Sequence, residues 1–211
     1  MYAYGTLRTY LEDAASDRPA PGGGSVAACA GALGASMGCM AARFTVGRKK
    51  FADVEEEAAR HLAACIEAKD ELLRLMDEDV AAYGAVAAAF KMPRKRPEEK
   101  TARREAIQGA LETAMAPPLA VMRICRRVTP VLDRLAEIAN PNLISDVGVA
   151  ALLVEASLRA ARLNVEINLA SLRDEDLVAR TREEIEAAEA EVREAAGRIV
   201  QKVNNAIGGA S

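Results

Sequence analysis

Leu72-Leu73-Arg74-Leu75-Met76-Asp77-Glu78-Asp79-Val80-Ala81-Ala82-Tyr83-Gly84-Ala85-Val86 is the stretch that decides the fold class. Counted at the helical advance, Leu72, Leu75, Met76, Tyr83 and Val86, with Phe90 beyond them, fall within roughly 60° of one direction. That is one face of an α-helix. The pattern extends back to Asp53, which with Glu56 reads as a cap, and forward to about Phe90. Asp79 sits in the middle of the apolar stripe, whereas Asp77 and Glu78 point elsewhere. A carboxylate on an apolar face is costly unless it is paired or used. Burial raises its pKa and makes it an acid or base that works near neutrality. An ion pair with one of the many Arg residues is an equal reading of the same pattern.

Upstream, Thr6 to Ala15 reads as a short helix with Leu7, Leu11 and Ala14 on one side. The loop Asp17-Arg18-Pro19-Ala20-Pro21-Gly22-Gly23-Gly24-Ser25 follows, and Ser25 can cap the next helix. That helix carries Ala27, Gly31, Ala35 and Cys39 at intervals of four, with Gly34 and Gly38 beside them. Glycine lowers helix stability, so this small-residue stripe needs a packing reason. The uncharged run from Pro19 to Ala42 is long enough to cross a bilayer, but Ala, Gly and Ser dominate it and a buried bundle helix fits better. Phe44 to Phe51 is a connector that ends in Lys49 and Lys50.

Downstream, Lys91-Met92-Pro93-Arg94-Lys95-Arg96-Pro97 breaks the long helix, and Pro97 with Glu98 and Glu99 opens another. Pro117-Pro118 is expected to interrupt that helix, and Pro130 to kink or break it again. After the loop Asn140-Pro141-Asn142, Ser145 to Leu169 and Asp174 to Asn205 read as the last two helices. On the first of these, Glu155, Arg159, Arg162 and Glu166 form the wet face. The opposite face carries Asp146, Ala150, Leu153, Ser157, Ala161, Asn164 and Asn168. Inward amides need partners: either a flat heterocycle or the main chain of a neighbour. No stretch reads as a strand. The expectation is an all-α, multi-helix bundle of long antiparallel helices, one domain over residues 1–211.

Composition agrees. The chain is 51% hydrophobic yet only 3% aromatic, with no Trp, so small aliphatic side chains must build the core. A net charge of −3 gives no reason to expect nucleic acid or an anionic membrane as partner. The four cysteines form no CxxC pair, and reduced thiols in a cytoplasmic protein are the expectation. His61 and Cys65 are four apart, but nothing supplies further metal ligands, so no metal is expected. Gly22-Gly23-Gly24-Ser25 ends at a helix N-terminus, whose free N–H groups suit an anionic oxygen; a plain tight turn is the commoner explanation. Arg94-Lys95-Arg96 is a solvated loop or, with Lys49 and Lys50, a site for a polyanionic tail.

Several of these segments resemble one known family. They are Pro19 to Ala28, Gly31 to Ala35, Val46 to Phe51, Asp79 to Tyr83 with Phe90 to Pro93, Asn142 to Ala151, and Asn164 to Leu169. In this order, over nearly the whole chain, they are similar to the cyclodeaminase/cyclohydrolase family of folate one-carbon enzymes. The resemblance implies a helical subunit that forms a homodimer, with a tetrahydrofolate derivative, in some cases polyglutamylated, in a cleft near the interface. It implies no cofactor besides that substrate, and it matches Asp79 to the catalytic aspartate. Pro21, Gly22, Gly23, Gly24, Ser25, Lys49, Lys50, Tyr83, Asn142, Ser145, Asp146, Asn164 and Asn168 are the expected substrate-binding residues. Of the family's two activities, methenyltetrahydrofolate cyclohydrolase is the first expectation. No formiminotransferase domain is present in the chain, and Pro118 to Arg126 is similar to the free-standing cyclohydrolases. Formiminotetrahydrofolate cyclodeaminase is the alternative, and a non-catalytic folate-binding dimer is the third reading.

Overall fold

A sequence rich in Ala and Leu and poor in β-branched runs folds as helix throughout. The computed structural model describes residues 1–209, so the last two positions of the expected 1–211 domain lie outside it. The α-helices are α1 (Leu7–Ala14), α2 (Gly23–Arg43), α3 (Glu55–Lys91), α4 (Pro97–Ile138), α5 (Ile144–Leu169) and α6 (Glu175–Gly208). Short 3-10 turns lie at Tyr2–Tyr4, Lys49–Val54 and Pro141–Leu143, and there is no strand among the described residues.

Helix α2 is the spine and packs on α3, α5 and α4. Its small residues explain the packing. A Cβ on Gly34 would lie 3.0 Å from the Ala150 carbonyl oxygen, and one on Gly38 2.8 Å from Leu132 Cδ2. The α5 backbone at Gly34 and the side chains of Leu132 and Cys65 at Gly38 leave no room for a side chain. Register follows from the same contacts: Gly24, Gly31 and Gly38 meet Asp79, Leu72 and Cys65 in turn, so α2 and α3 are antiparallel. Gly23, Gly31 and Gly34 meet Asn164, Ser157 and Ala150, so α2 and α5 are antiparallel too. Helix α2 has the length and hydropathy of a membrane span, but 61% of its most apolar window is buried in the bundle. Leu72 of α3, Met122 and Leu132 of α4, Leu158 of α5 and Ile185 of α6 fill the core.

Five local expectations need correction. Ser25 does not cap α2: Gly22 holds that position and Ser25 lies inside the first turn. Asp53 does not cap α3, because the 3-10 turn Lys49–Val54 runs into the helix with Val54 at the cap. On α1 the inward residue is Tyr10, while Leu7 and Leu11 are exposed. Helix α4 is not interrupted: it runs from Pro97 to Ile138 with Pro117, Pro118 and Pro130 inside. Pro117 and Pro118 are buried, and tertiary packing outweighs the two missing backbone bonds. Finally, the charged face of α5 turns toward α6, where Arg162 pairs with Glu189 and Arg182 with Glu166. The face of α5 most open to solvent is apolar: Leu163 and Ile167 are each 71% exposed.

Candidate active site

The long stripe on α3 splits in two. Leu72, Leu75 and Met76 are core. One to four turns on, Asp79, Tyr83, Val86 and Phe90 line an open cleft of about 410 Å³. Gly22, Gly23 and Gly24 at the start of α2, Leu111 and Ala114 of α4, and Asn164 and Asn168 of α5 complete it. Such a volume suits a small-molecule ligand, and the walls are mostly apolar with a few convergent polar groups. A larger groove of about 650 Å³ between α4 and α6 is lined by charges that neutralise one another, as in Arg123 with Glu184 and Arg126 with Glu191. It offers no unpaired group for chemistry.

Asp79 lies at the inner end of the cleft against the first turn of α2. Its Oδ2 accepts the Ser25 backbone N–H at 2.9 Å. That approach depends on Gly24: a Cβ there would overlap Oδ1 and come within 2.6 Å of Cγ. Burial pushes the Asp79 carboxyl above its ordinary range, and the Ser25 N–H only partly offsets this. Among the described residues no Arg, Lys or His forms an ion pair with it, so the ion-pair reading of the stripe finds no partner here.

The amides of α5 turn their NH₂ groups back along the helix. Asn164 Nδ2 donates to the Ala160 carbonyl at 2.9 Å, and Asn168 Nδ2 to the Asn164 carbonyl at 2.8 Å. Their side-chain oxygens accept no protein hydrogen bond among the described residues, so the cleft wall presents acceptors. A ligand edge carrying N–H and NH₂ donors would satisfy them.

The expected site residues fall into two groups. Asp79, Tyr83, Gly22, Gly23, Gly24, Asn164 and Asn168 meet at the cleft, with Ser25 buried directly behind it and Pro21 buried in the entering loop. Lys49, Lys50, Asn142, Ser145 and Asp146 do not. They lie at the other end of the molecule, beyond the C-terminus of α2 and at the start of α5. Helix α2 has 21 residues and is therefore about 31 Å long. The sequence reading missed Tyr10, whose hydroxyl bonds Ser25 Oγ at 3.1 Å behind Asp79. It also missed Leu111, Ala114 and Ile167. A lone aromatic at the inward position of α1 was a signal for Tyr10; the assumed break at Pro117-Pro118 hid the α4 residues.

Fold and site together define an all-helical protein with one desolvated carboxyl group at the end of an amide-lined cleft. The chain belongs to the formiminotransferase-cyclodeaminase family, whose model matches residues 6–187. It is 39% identical over 202 residues to the methenyltetrahydrofolate cyclohydrolase of Methylorubrum extorquens, covering 96% of this chain and 97% of that one. It is 35% identical over 180 residues to the formimidoyltransferase-cyclodeaminase of Rattus norvegicus, where the match spans 33% of the relative's length. The crystal structure of the formiminotetrahydrofolate cyclodeaminase of Thermotoga maritima superposes with a TM-score of 0.86 at 32% identity, covering 96% and 97% of the two chains.

Proposed function

We propose that this protein is a methenyltetrahydrofolate cyclohydrolase with Asp79 as its proton relay. The observation that carries the chemistry is a carboxyl group raised by burial, held by one backbone N–H, and left without a cationic partner among the described residues. The choice of activity is supported by 39% identity across almost the full length of a relative with that name. Chain length does not separate the two activities, because the Thermotoga maritima cyclodeaminase is matched over 97% of its chain.

The methenyl bridge is a cationic, electrophilic carbon between two nitrogens. Asp79 takes one proton from a water as its oxygen bonds to that carbon. The resulting tetrahedral carbon collapses to a formyl group, one carbon–nitrogen bond breaks, and Asp79 returns the proton to the departing nitrogen. The second water proton goes to solvent. The oxygens of Asn164 and Asn168 fit the amino and N–H donors of a pterin, while Tyr83 and Phe90 flank the arm that follows. The cyclodeaminase reaction passes through a similar tetrahedral carbon, so the same relay would serve it. Purified protein assayed on methenyl- and formiminotetrahydrofolate separates them. Loss of the methenyl absorbance with no ammonia release from the formimino substrate is expected; ammonia release alone would reverse the assignment.

The same proposal includes a homodimer formed across the exposed apolar faces of α2 and α5. Val26, Leu33 and Met40 are spaced by seven along α2, and Val149, Leu152, Leu163 and Ile167 run along α5. A two-fold axis near the middle of α2, with the two α2 helices antiparallel, would bring the far-end set around Lys49 and Asn142 of one subunit toward the cleft of the other. The four free cysteines, of which Cys65 and Cys125 are fully buried, support a cytoplasmic location.

A further inference from the structure

The start of α2 is a poor helix start by its own sequence. Gly22 holds the cap position and offers no side chain to the first turn, and Gly23 and Gly24 follow it. Glycine lowers helix stability, and the first backbone N–H groups of a helix have no partner within it. One of them, that of Ser25, is taken by Asp79 Oδ2. The carboxylate that the reaction needs is therefore also what caps the turn. A loose turn would leave that carboxylate loose.

Ser25 carries the first side chain of α2, and it is fully buried. Its hydroxyl has one partner among the described residues, the Tyr10 hydroxyl at 3.1 Å. Tyr10 is the one buried residue of α1, so that helix rests on the bundle through this ring. The ring is itself held. Tyr2 packs against it edge to face, with centroids 5.2 Å apart. The Tyr2 hydroxyl donates to Asp13 Oδ2 at 2.9 Å, and the Tyr2 backbone N–H donates to Asp77 Oδ1 at 2.6 Å. Asp77 and Asp79 are two residues apart on α3 and so point to different sides of it. One ties down the segment before α1, and the other ties down the start of α2. Burial keeps Tyr10 a neutral phenol, and the nearby Cys29, Asp79 and Tyr2 groups add to this against the Ser25 bond.

We infer that Tyr10 is a positioning residue for the proton relay: its hydroxyl holds Ser25, and Ser25 holds the Asp79 carboxylate against the first turn of α2. The inference rests on the reading of Asp79 as the relay. Three glycines let the turn approach the carboxylate, and Tyr10 supplies the restraint that they cannot. The helix before the glycine loop thereby reaches the chemistry without lining the cleft.

The test uses the whole protein and the variants Tyr10→Phe, Ser25→Ala and the two together. Each change removes one hydroxyl and keeps the apolar wall behind Asp79. Turnover of methenyltetrahydrofolate per folded molecule should fall about threefold to tenfold, the worth of one hydrogen bond. The acid limb of log kcat/KM should move up, because the N–H that favours the Asp79 charge is loosened while its burial stays. Either change removes the same interaction, so the pair should lose no more than one of them alone. A lower melting temperature with turnover and acid limb unmoved would make Tyr10 a core residue only. A limb that moves down would mean that water had entered and that the ring acts as a wall, and additive losses would mean that the hydroxyls act separately; each overturns the inference. Carbon-13 NMR of the Asp79 carboxyl, assigned by its loss in Asp79→Asn, follows the same titration without substrate. The upward shift in a protein inert toward both folates removes the folate reading and keeps the positioning role. Folate turnover with no shift in the variants removes the positioning role alone.

Discussion

At the scale of the residue, the site depends on how closely a carboxylate can approach a helix start. Two influences oppose each other at Asp79: burial disfavours its charge, and the Ser25 N–H at the positive end of α2 favours it. Burial is the larger, so the carboxyl titrates above its ordinary value of 3.8. The acid limb of a plot of log kcat/KM against pH should therefore lie above the usual Asp range, since the base form is needed to start the reaction. Asp79→Asn should lower turnover by about a hundredfold to ten-thousandfold with little change in folate affinity. Stability follows the raised pKa with a defined sign. A raised acid is stabilised in its neutral form, and that contribution is lost as pH climbs through the folded pKa. At pH 7 the ionised side chain thus lowers stability, and Asp79→Asn should melt no lower than the wild type there. The difference should disappear in acid. A melting temperature several degrees lower at pH 7 would mean that an ionic partner had been broken instead. Gly24→Ala probes the same contact from the other side: its methyl group meets Asp79, so we expect a loss of about 1–3 kcal/mol and impaired turnover, read by denaturant titration and assay.

At the scale of the element, α4 is the helix whose sequence argued against it. Pro117, Pro118 and Pro130 each remove a backbone donor, yet 42 residues stay helical because one face of α4 packs on α3 and α5 along its length. Pro130 is exposed, so Pro130→Ala restores a bond to the Arg126 carbonyl without filling or emptying the core. Interior proline is unfavourable by about 3 kcal/mol, but the adapted helix and the freer unfolded chain take back much of that. A net gain of about 1 kcal/mol is expected; a lower melting temperature would show that the proline geometry is required. This helix also shows where the sequence was legible. Period alone gave the helices and placed Asp79, Asn164 and Asn168 on inward faces, because burial is decided turn by turn. It could not give Leu111 and Ala114, which reach the cleft only because α4 passes the prolines unbroken. Nor could it separate Lys49, Asn142 and Asp146 from the cleft, since that depends on which helix ends meet, and antiparallel packing sends them to the far one. Tyr10 belongs to the same class. Its hydroxyl meets Ser25 only after α1 folds back over the start of α2.

At the scale of the molecule, the question is what covers the apolar side of α2 and α5. Scattered exposed hydrophobes are ordinary on any protein surface; a row of them along two adjacent helices is not. Leu33 lies at the midpoint of the α2 row and is 53% exposed, and Leu163 and Ile167 lie on α5 beside the cleft mouth. A second copy placed by a two-fold axis, as proposed above, would cover the row with itself and make each contact occur twice. It would also account for the segment Val46–Phe51 and the start of Asn142–Ala151, which resemble the family yet lie toward the other end of α2, a helix about 31 Å long. Leu33→Glu would place two like charges near the axis, in apolar surroundings. Light scattering at micromolar concentration should then give twice the chain mass for the wild type and a single chain for the variant. Because Leu33 is exposed within one subunit and touches no cleft residue in the fold described here, the isolated variant chain should remain helical by circular dichroism. If the far-end residues of the partner complete the site, that monomer should also lose turnover. A variant that is monomeric and fully active would confine the site to one subunit. A wild-type protein that is monomeric at these concentrations would remove the dimer itself.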